Sequence, residues 1–235
     1  MAMTERRTEQ IPLPDGGELW LTLAEPESVV RGGIVVVHEA RGLTEAVRRL
    51  ADGLAGEGWL AVMPHLYHRD GVHELPEDGG DEQIRSHVER LSAESVLTDV
   101  DAALDWLAQS GVATDRTGVV GYGLGGAVAL IVAAERELGA AVTVAGTGIV
   151  APVSPGLPAL VEAAPELRCP WLGIYHADDL VPVDEVHKLQ HAVQSAQVAT
   201  DLVHFGEETC CFAARNSAAT EPWARTLNWF DSHLR

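Results

Sequence analysis

The stretch Thr117-Gly118-Val119-Val120-Gly121-Tyr122-Gly123-Leu124-Gly125-Gly126-Ala127-Val128 decides the fold. A short β-branched run enters a glycine cluster and leaves as an apolar helical segment. Strand, sharp turn and helix in that order form the G-x-S/C-x-G frame, in which the turn lifts a nucleophile above the end of a parallel sheet. Here the turn residue is Gly123, which has no side chain with which to attack a carbonyl. The frame is present and its reactive atom is absent.

The same residues satisfy Gly121-x-Gly123-x-x-Gly126, the pattern of a dinucleotide-binding turn. Such a site needs an acidic residue about 20 positions on, at the end of the next strand, to hold a ribose hydroxyl. The corresponding strand runs Ala141-Val142-Thr143-Val144-Ala145-Gly146 and carries no acid. The motif also follows two earlier buried strands, so nicotinamide and flavin are set aside and no cofactor is expected.

Working outward, Ile34 to Val37, Leu60 to Met63, Val119 to Gly121, Ala141 to Val144, Trp171 to Tyr175 and Leu202 to Phe205 are short apolar runs of the kind found in parallel strands covered on both faces. Before them, Gln10 to Leu13 and Glu18 to Ala24 flank an Asp15-Gly16-Gly17 turn and predict an N-terminal hairpin. Apolar residues at three- and four-residue steps predict helices over Thr44 to Glu57, Ser95 to Ser110, Leu124 to Glu137, Asp184 to Ala196 and Glu221 to Leu234. Strands alternating with helices predict an α/β fold, a mostly parallel central sheet of about eight strands with helices on both faces. Between Tyr67 and Gln83 the chain is rich in Asp, Glu, Gly and His, which predicts a long surface loop placed to border a ligand site.

A length of 235 residues and a 46% hydrophobic share suit a single domain over residues 1–235. The net charge of −19 weighs against nucleic acid and anionic membrane surfaces, which recruit clustered Lys and Arg. A small-molecule ligand, neutral or cationic, is the expected partner. Met1 to Gln10 lacks the apolar core of a secretory signal, and no apolar run approaches the roughly 20 residues of a membrane span. Cys169, Cys210 and Cys211 make a poor disulfide framework, so a cytoplasmic location is expected.

Five segments in register resemble the dienelactone hydrolase family of α/β-hydrolases: Val36 to Leu43, Ala61 to Tyr67, Val120 to Gly126, Asp178 to Pro182, and Thr226 to Phe230. The resemblance implies an α/β-hydrolase fold across nearly the whole chain. It also implies a triad of Cys or Ser at the turn, an Asp before Val-Pro, and a late His two residues before a Phe, with a Glu from the His-Glu segment reaching the nucleophile. Asp178 matches the acid and Glu39 the glutamate, whereas Gly123 stands at the nucleophile position and Cys210, two before Phe212, at the base position. Backbone N–H groups of Ala40 and Leu124 match the family's oxyanion hole. Of the arginines that hold a substrate carboxylate in dienelactone hydrolase itself, the position nearest Phe212 falls on Ala214, with Arg215 beside it.

An acyl-transfer triad needs a nucleophile, an imidazole and a carboxylate acting as a unit, so a degenerate triad is expected, with the pocket retained. His38, Tyr122, Cys211 and Arg215 are candidate pocket residues, and Tyr122 a candidate proton donor. Cys210 reads as a small side chain filling the place of the lost imidazole, because neighbouring carboxylates keep a thiol protonated. His65, His68 and His73 read as histidines of a solvated loop rather than metal ligands, and no metal is expected. His38 and His176 read as ends of buried strands with satisfied hydrogen bonds. Besides a protein that has lost hydrolysis and keeps its pocket, three functions stay open: a cyclase, lyase or isomerase using Glu39 and the backbone donors, a hydrolase with relocated groups, and an interaction module.

Overall fold

The computed structural model describes residues 6–76, 80–206 and 221–235. Eight strands form one sheet: β1 (Arg6–Pro12), β2 (Glu18–Ala24), β3 (Gly32–Val37), β4 (Trp59–Pro64), β5 (Thr117–Tyr122), β6 (Ala140–Val144), β7 (Trp171–His176) and β8 (Thr200–Phe205). Their spatial order is β1-β2-β4-β3-β5-β6-β7-β8. β1 and β2 pair antiparallel, as do β2 and β4, and every later pairing is parallel. Seven α-helices are present among the described residues: α1 (Glu45–Gly56), α2 (Asp81–Val88), α3 (Ala93–Gln109), α4 (Leu124–Glu135), α5 (Leu160–Ala163), α6 (Val183–Val193) and α7 (Glu221–His233). This is the α/β-hydrolase fold, with a mixed, mostly parallel sheet.

Alternation along the strands assigns the two faces of the sheet. In β3, Val35 and Val37 join the core that includes α3 to α6, whereas Ile34 and Val36 join the core that includes α1 and α7. Burial of β3 through β7 on both sides explains why their sequences are continuous apolar runs rather than alternating ones. α4 is buried on every side from Leu124 to Ala134, so its sequence is apolar all round.

Spatial order departs from sequence order at one place in the sheet, where β3 and β4 are exchanged. From β3 the chain steps to β4 on one side and then returns to β5 on the other, which makes the carboxyl ends of β3 and β5 the switch point at which open α/β sheets form a crevice. In open α/β sheets such a switch point is where ligands bind, because the two loops diverge and cannot fill the space between them. Glu39 and Ala40 follow β3, and Gly123 and Leu124 follow β5.

Several expectations need correction. β1 begins at Arg6 rather than Gln10, and α3 begins at Ala93 rather than Ser95, because Ser92 caps it by accepting from the Ser95 amide at 3.1 Å. The segment expected as a loop from Tyr67 to Gln83 contains a 3-10 turn over His68–Asp70, and α2 already starts at Asp81. Its histidines are not solvated as a group. His65 is buried between the Thr22 hydroxyl at 2.8 Å and His73 Nδ1 at 2.7 Å, while the His68 ring, also buried, lies 3.1 Å from Asp99. His65 and His73 instead line a cavity of about 340 Å3 between the hairpin and α1, together with Arg6, Thr8, Trp20, Thr22 and Arg48. Composition suggested solvent here because polar residues bonded to one another have the same letters as polar residues bonded to water.

Candidate functional site

Gly123 links β5 directly to α4 with φ +51° and ψ −112°, a backbone conformation that costs a residue with a side chain about 1–3 kcal/mol. Two flanking glycines make the turn possible. A Cβ at Gly121 would lie 2.1 Å from the Gly125 carbonyl oxygen, and one at Gly125 would lie 2.3 Å from the Val37 oxygen and 2.6 Å from the His38 oxygen. Close approach of backbones is therefore what those two glycines serve. At Gly123 the opposite holds: among the described residues an added Cβ meets nothing within 4 Å. The turn that would present a nucleophile is fully formed, and no described residue occupies the place where its side chain would project.

Both loops at the crevice are anchored from behind. The Gly123 amide donates to the Val144 oxygen at 3.0 Å and its carbonyl accepts from Thr147 N–H at 3.3 Å, so the turn is tied to β6. Buried Thr143 donates to the Gly126 oxygen at 2.9 Å and accepts from the Trp171 indole at 3.0 Å, pinning the first turn of α4. The leading N–H groups of any α-helix have no intrahelical acceptor, and in α4 the first of them is Leu124, next to Gly123. Ala40 is fixed differently: its carbonyl accepts from the buried Tyr67 hydroxyl at 2.9 Å. Burial holds Tyr67 far above the ordinary tyrosine range, so the hydroxyl stays a donor.

His38 and Glu39 leave the end of β3 in different environments. His38 Nδ1–H donates to the Glu39 oxygen at 2.8 Å and Nε2 accepts from Leu66 N–H at 3.1 Å, an arrangement that only the neutral imidazole satisfies. Complete burial pushes its pKa down to about 4. The half-buried Glu39 keeps a polar partner, since Thr44 donates its hydroxyl to Oε1 at 2.7 Å.

The carboxylates after β7 sit two strands from Gly123, about 10 Å at the usual strand spacing. Asp178 is 66% exposed, with its carboxylate 3.6 Å from His176 Nδ1, and its own amide donates to that nitrogen at 3.1 Å. Asp179 turns inward and accepts from the His176 amide at 2.6 Å, and burial raises its pKa. His38 and His176 thus end buried strands with hydrogen bonds made. Tyr122 packs with the core of α1 and α7, on the sheet face opposite α4, and burial drives its pKa well above the usual value. Cys210, Cys211 and Arg215 lie outside the described residues, as do Phe212 and Ala214. No group of three or more potential ligands that could hold a metal occurs among the described residues, and no helix there is long and apolar enough to cross a membrane.

A model of the dienelactone hydrolase family matches residues 21–234, from β2 to the end of α7. The chain belongs to the dienelactone hydrolase family. Among its relatives, a "Putative carboxymethylenebutenolidase" of Escherichia coli K12 is 30% identical over 212 residues, covering 85% of this chain and 76% of the relative. A carboxymethylenebutenolidase of Rhodococcus opacus is 27% identical over 215 residues, covering 86% of this chain and 81% of that one. The crystal structure described as a putative dienelactone hydrolase from Klebsiella pneumoniae superposes with a TM-score of 0.82 at 29% identity, over 97% of this chain and 99% of that one.

Within the family frame the crevice brings Glu39, Ala40, Gly123 and Leu124 to adjacent strand ends, with Asp178 at the same edge of the sheet. Three contributors escaped sequence reasoning. Tyr67 and Thr44 act through hydrogen bonds to residues far enough away in sequence, or placed at a helix start, that no spacing rule flags them. Ala145 adopts φ +49°, the one positive φ of a non-glycine residue among those described, directly after β6 and beside the Gly123 turn. Alanine carries no signal for that conformation.

Proposed function

We propose that this member of the dienelactone hydrolase family binds a small molecule in the crevice above Gly123 and does not carry out triad hydrolysis. The observation that carries the reading is the turn of the elbow itself, where the conformation is kept, the side chain is missing and no described residue lies within 4 Å of an added Cβ. With Cys210 at the family's base position, neither nucleophile nor imidazole is supplied by the residues that match the family's triad, and loss of either removes most of a triad's rate. The name carboxymethylenebutenolidase, carried by relatives at about 30% identity, describes those proteins. Glu39 and the backbone donors of Ala40 and Leu124 remain to hold a carbonyl-bearing ligand that is neutral or cationic, in keeping with the chain's net charge of −19. A domain over residues 1–235 that works without a cofactor fits this reading.

The test is direct. Purified protein incubated with p-nitrophenyl acetate and butyrate is expected to show no turnover above that of its Cys210→Ala variant. Turnover that disappears on alkylation of Cys210, or in that variant, would show a relocated nucleophile and overturn the proposal.

A second reading has its own support in Glu39, a half-buried carboxylate that accepts from Thr44 and leaves the same strand end as Ala40. Backbone donors and binding alone leave on the order of 10³ to 10⁴ of rate over water in a protease stripped of its triad. A general base added to such a hole suits enolisation, elimination or cyclisation on a carbonyl compound, as a lyase, isomerase or cyclase would perform. Once a converted substrate is in hand, Glu39→Gln is expected to abolish its conversion. Unchanged conversion removes Glu39 from the role.

A further inference from the structure

We infer that Thr44 is a positioning residue for Glu39, its hydroxyl diverted from capping α1 to hold the Glu39 carboxylate in one orientation at the crevice. Thr44 occupies the N-cap of α1 with the extended backbone typical of that position, φ −69° and ψ 165°. A threonine there ordinarily accepts from the amide two or three residues on, which stabilises the helix. Thr44 makes no such side-chain bond. Its Oγ1–H instead donates to Glu39 Oε1 at 2.7 Å, a well-formed O–H···O hydrogen bond.

The surrounding geometry explains why the hydroxyl reaches backwards. The Gly42 amide donates to the Glu39 carbonyl at 2.9 Å and the Thr44 amide to the Gly42 carbonyl at 2.9 Å, so the chain from Glu39 to Thr44 is coiled tightly on itself. A second strand of chain braces the coil, with Leu43 N–H donating to the His73 oxygen at 2.9 Å and Leu75 N–H to the Arg41 oxygen at 2.8 Å. Glu39 and Thr44 are thereby brought face to face across a loop whose backbone cannot drift. A half-buried glutamate on a loop loses rotamer freedom only when something holds its end, and a neutral hydroxyl does so without cancelling its charge. α1 retains an acidic residue in its first turn, Glu45, which favours the helix N-terminus independently of a cap. This inference rests on the geometry alone and stands whether or not the protein hydrolyses esters.

The experiment compares Thr44→Val, which keeps the shape and removes the hydroxyl, with Thr44→Ser, which keeps the hydroxyl, in the full-length protein by NMR at neutral pH. The Glu39 side-chain carboxyl resonance, assigned through Glu39→Gln, is expected to move in Thr44→Val and to return to its wild-type position in Thr44→Ser. Amide exchange at Ala46 and Val47, the residues a cap would protect, is expected to match wild type in both variants. A Glu39 resonance that stays in place in Thr44→Val would overturn the inference. So would a Thr44→Ser protein that behaves like Thr44→Val, or a loss of protection at Ala46 and Val47 that marks Thr44 as an ordinary cap.

Discussion

Replacing the turn residue of this elbow by glycine relaxes a conformation that a side chain would strain. Gly123 occupies φ +51° with nothing among the described residues within 4 Å of an added Cβ, so against those residues Gly123→Ala pays only for the backbone. Its expected cost is about 1–3 kcal/mol, read from the shift in urea midpoint. Gly125→Ala puts a methyl 2.3 Å from a backbone oxygen that cannot retreat, and is expected to cost about 3 kcal/mol or more. A Gly125→Ala protein as stable as Gly123→Ala would show that the two glycines are not doing different jobs. His38 makes a pH prediction. Its folded pKa of about 4 lies below the unfolded value of about 6.5. As pH falls through that interval the unfolded chain takes up a proton that the folded chain refuses, so stability is full above about 6.5 and declines toward 4 by about 3 kcal/mol. His65, pushed down to about 3 by burial and by the neighbouring His73, acts in the same direction. His38→Gln keeps one donor and one acceptor without titrating, and its urea midpoint is expected to fall less steeply between pH 6.5 and 4. An unchanged slope would remove His38 from the account.

At the scale of elements, the 3-10 turn after β4 links α3 to the crevice. Asp99 of α3 is fully buried and receives His68 at 3.1 Å and Arg69 at 2.8 Å, which fixes the turn from which Tyr67 reaches the Ala40 carbonyl. Asp99→Ala is expected to lower stability by about 1.5–3 kcal/mol, the range for hydrogen bonds to a charged group. It is also expected to speed amide exchange at Ala40 and Arg41. Exchange left at the wild-type rate there would show that the turn does not support the loop. These contacts were not legible in the sequence. The strands from β3 to β8 and the five longer helices were, because burial on two faces or one imposes a period of two, a continuous apolar run, or a step of three and four. α5, four residues long, is too short to show a helical period. α2 carries few apolar residues, and its buried His87 is bonded to Asp70 at 2.6 Å, so its inward face looks polar on paper.

For the molecule as a whole, the order of five segments was enough to place Glu39, Ala40, Gly123, Leu124 and Asp178 at one edge of one sheet, since topology alone brings the ends of parallel strands together. What the sequence could not express is how each is held: Ala40 by Tyr67, Glu39 by Thr44, and the elbow by Val144 and Thr147. Those bonds arise only once strands distant in sequence have become neighbours. The central claim is that a hydrolase crevice persists here without the groups that attack and transfer protons. Restoring both groups tests it: Gly123→Cys combined with Cys210→His, assayed on p-nitrophenyl acetate beside the wild-type protein. The account predicts measurable turnover in the double variant and none in the wild type, because the elbow turn is already formed and no described residue lies within 4 Å of a Cβ at position 123. A folded double variant that stays silent, or a wild-type protein that hydrolyses the ester as fast, would contradict it.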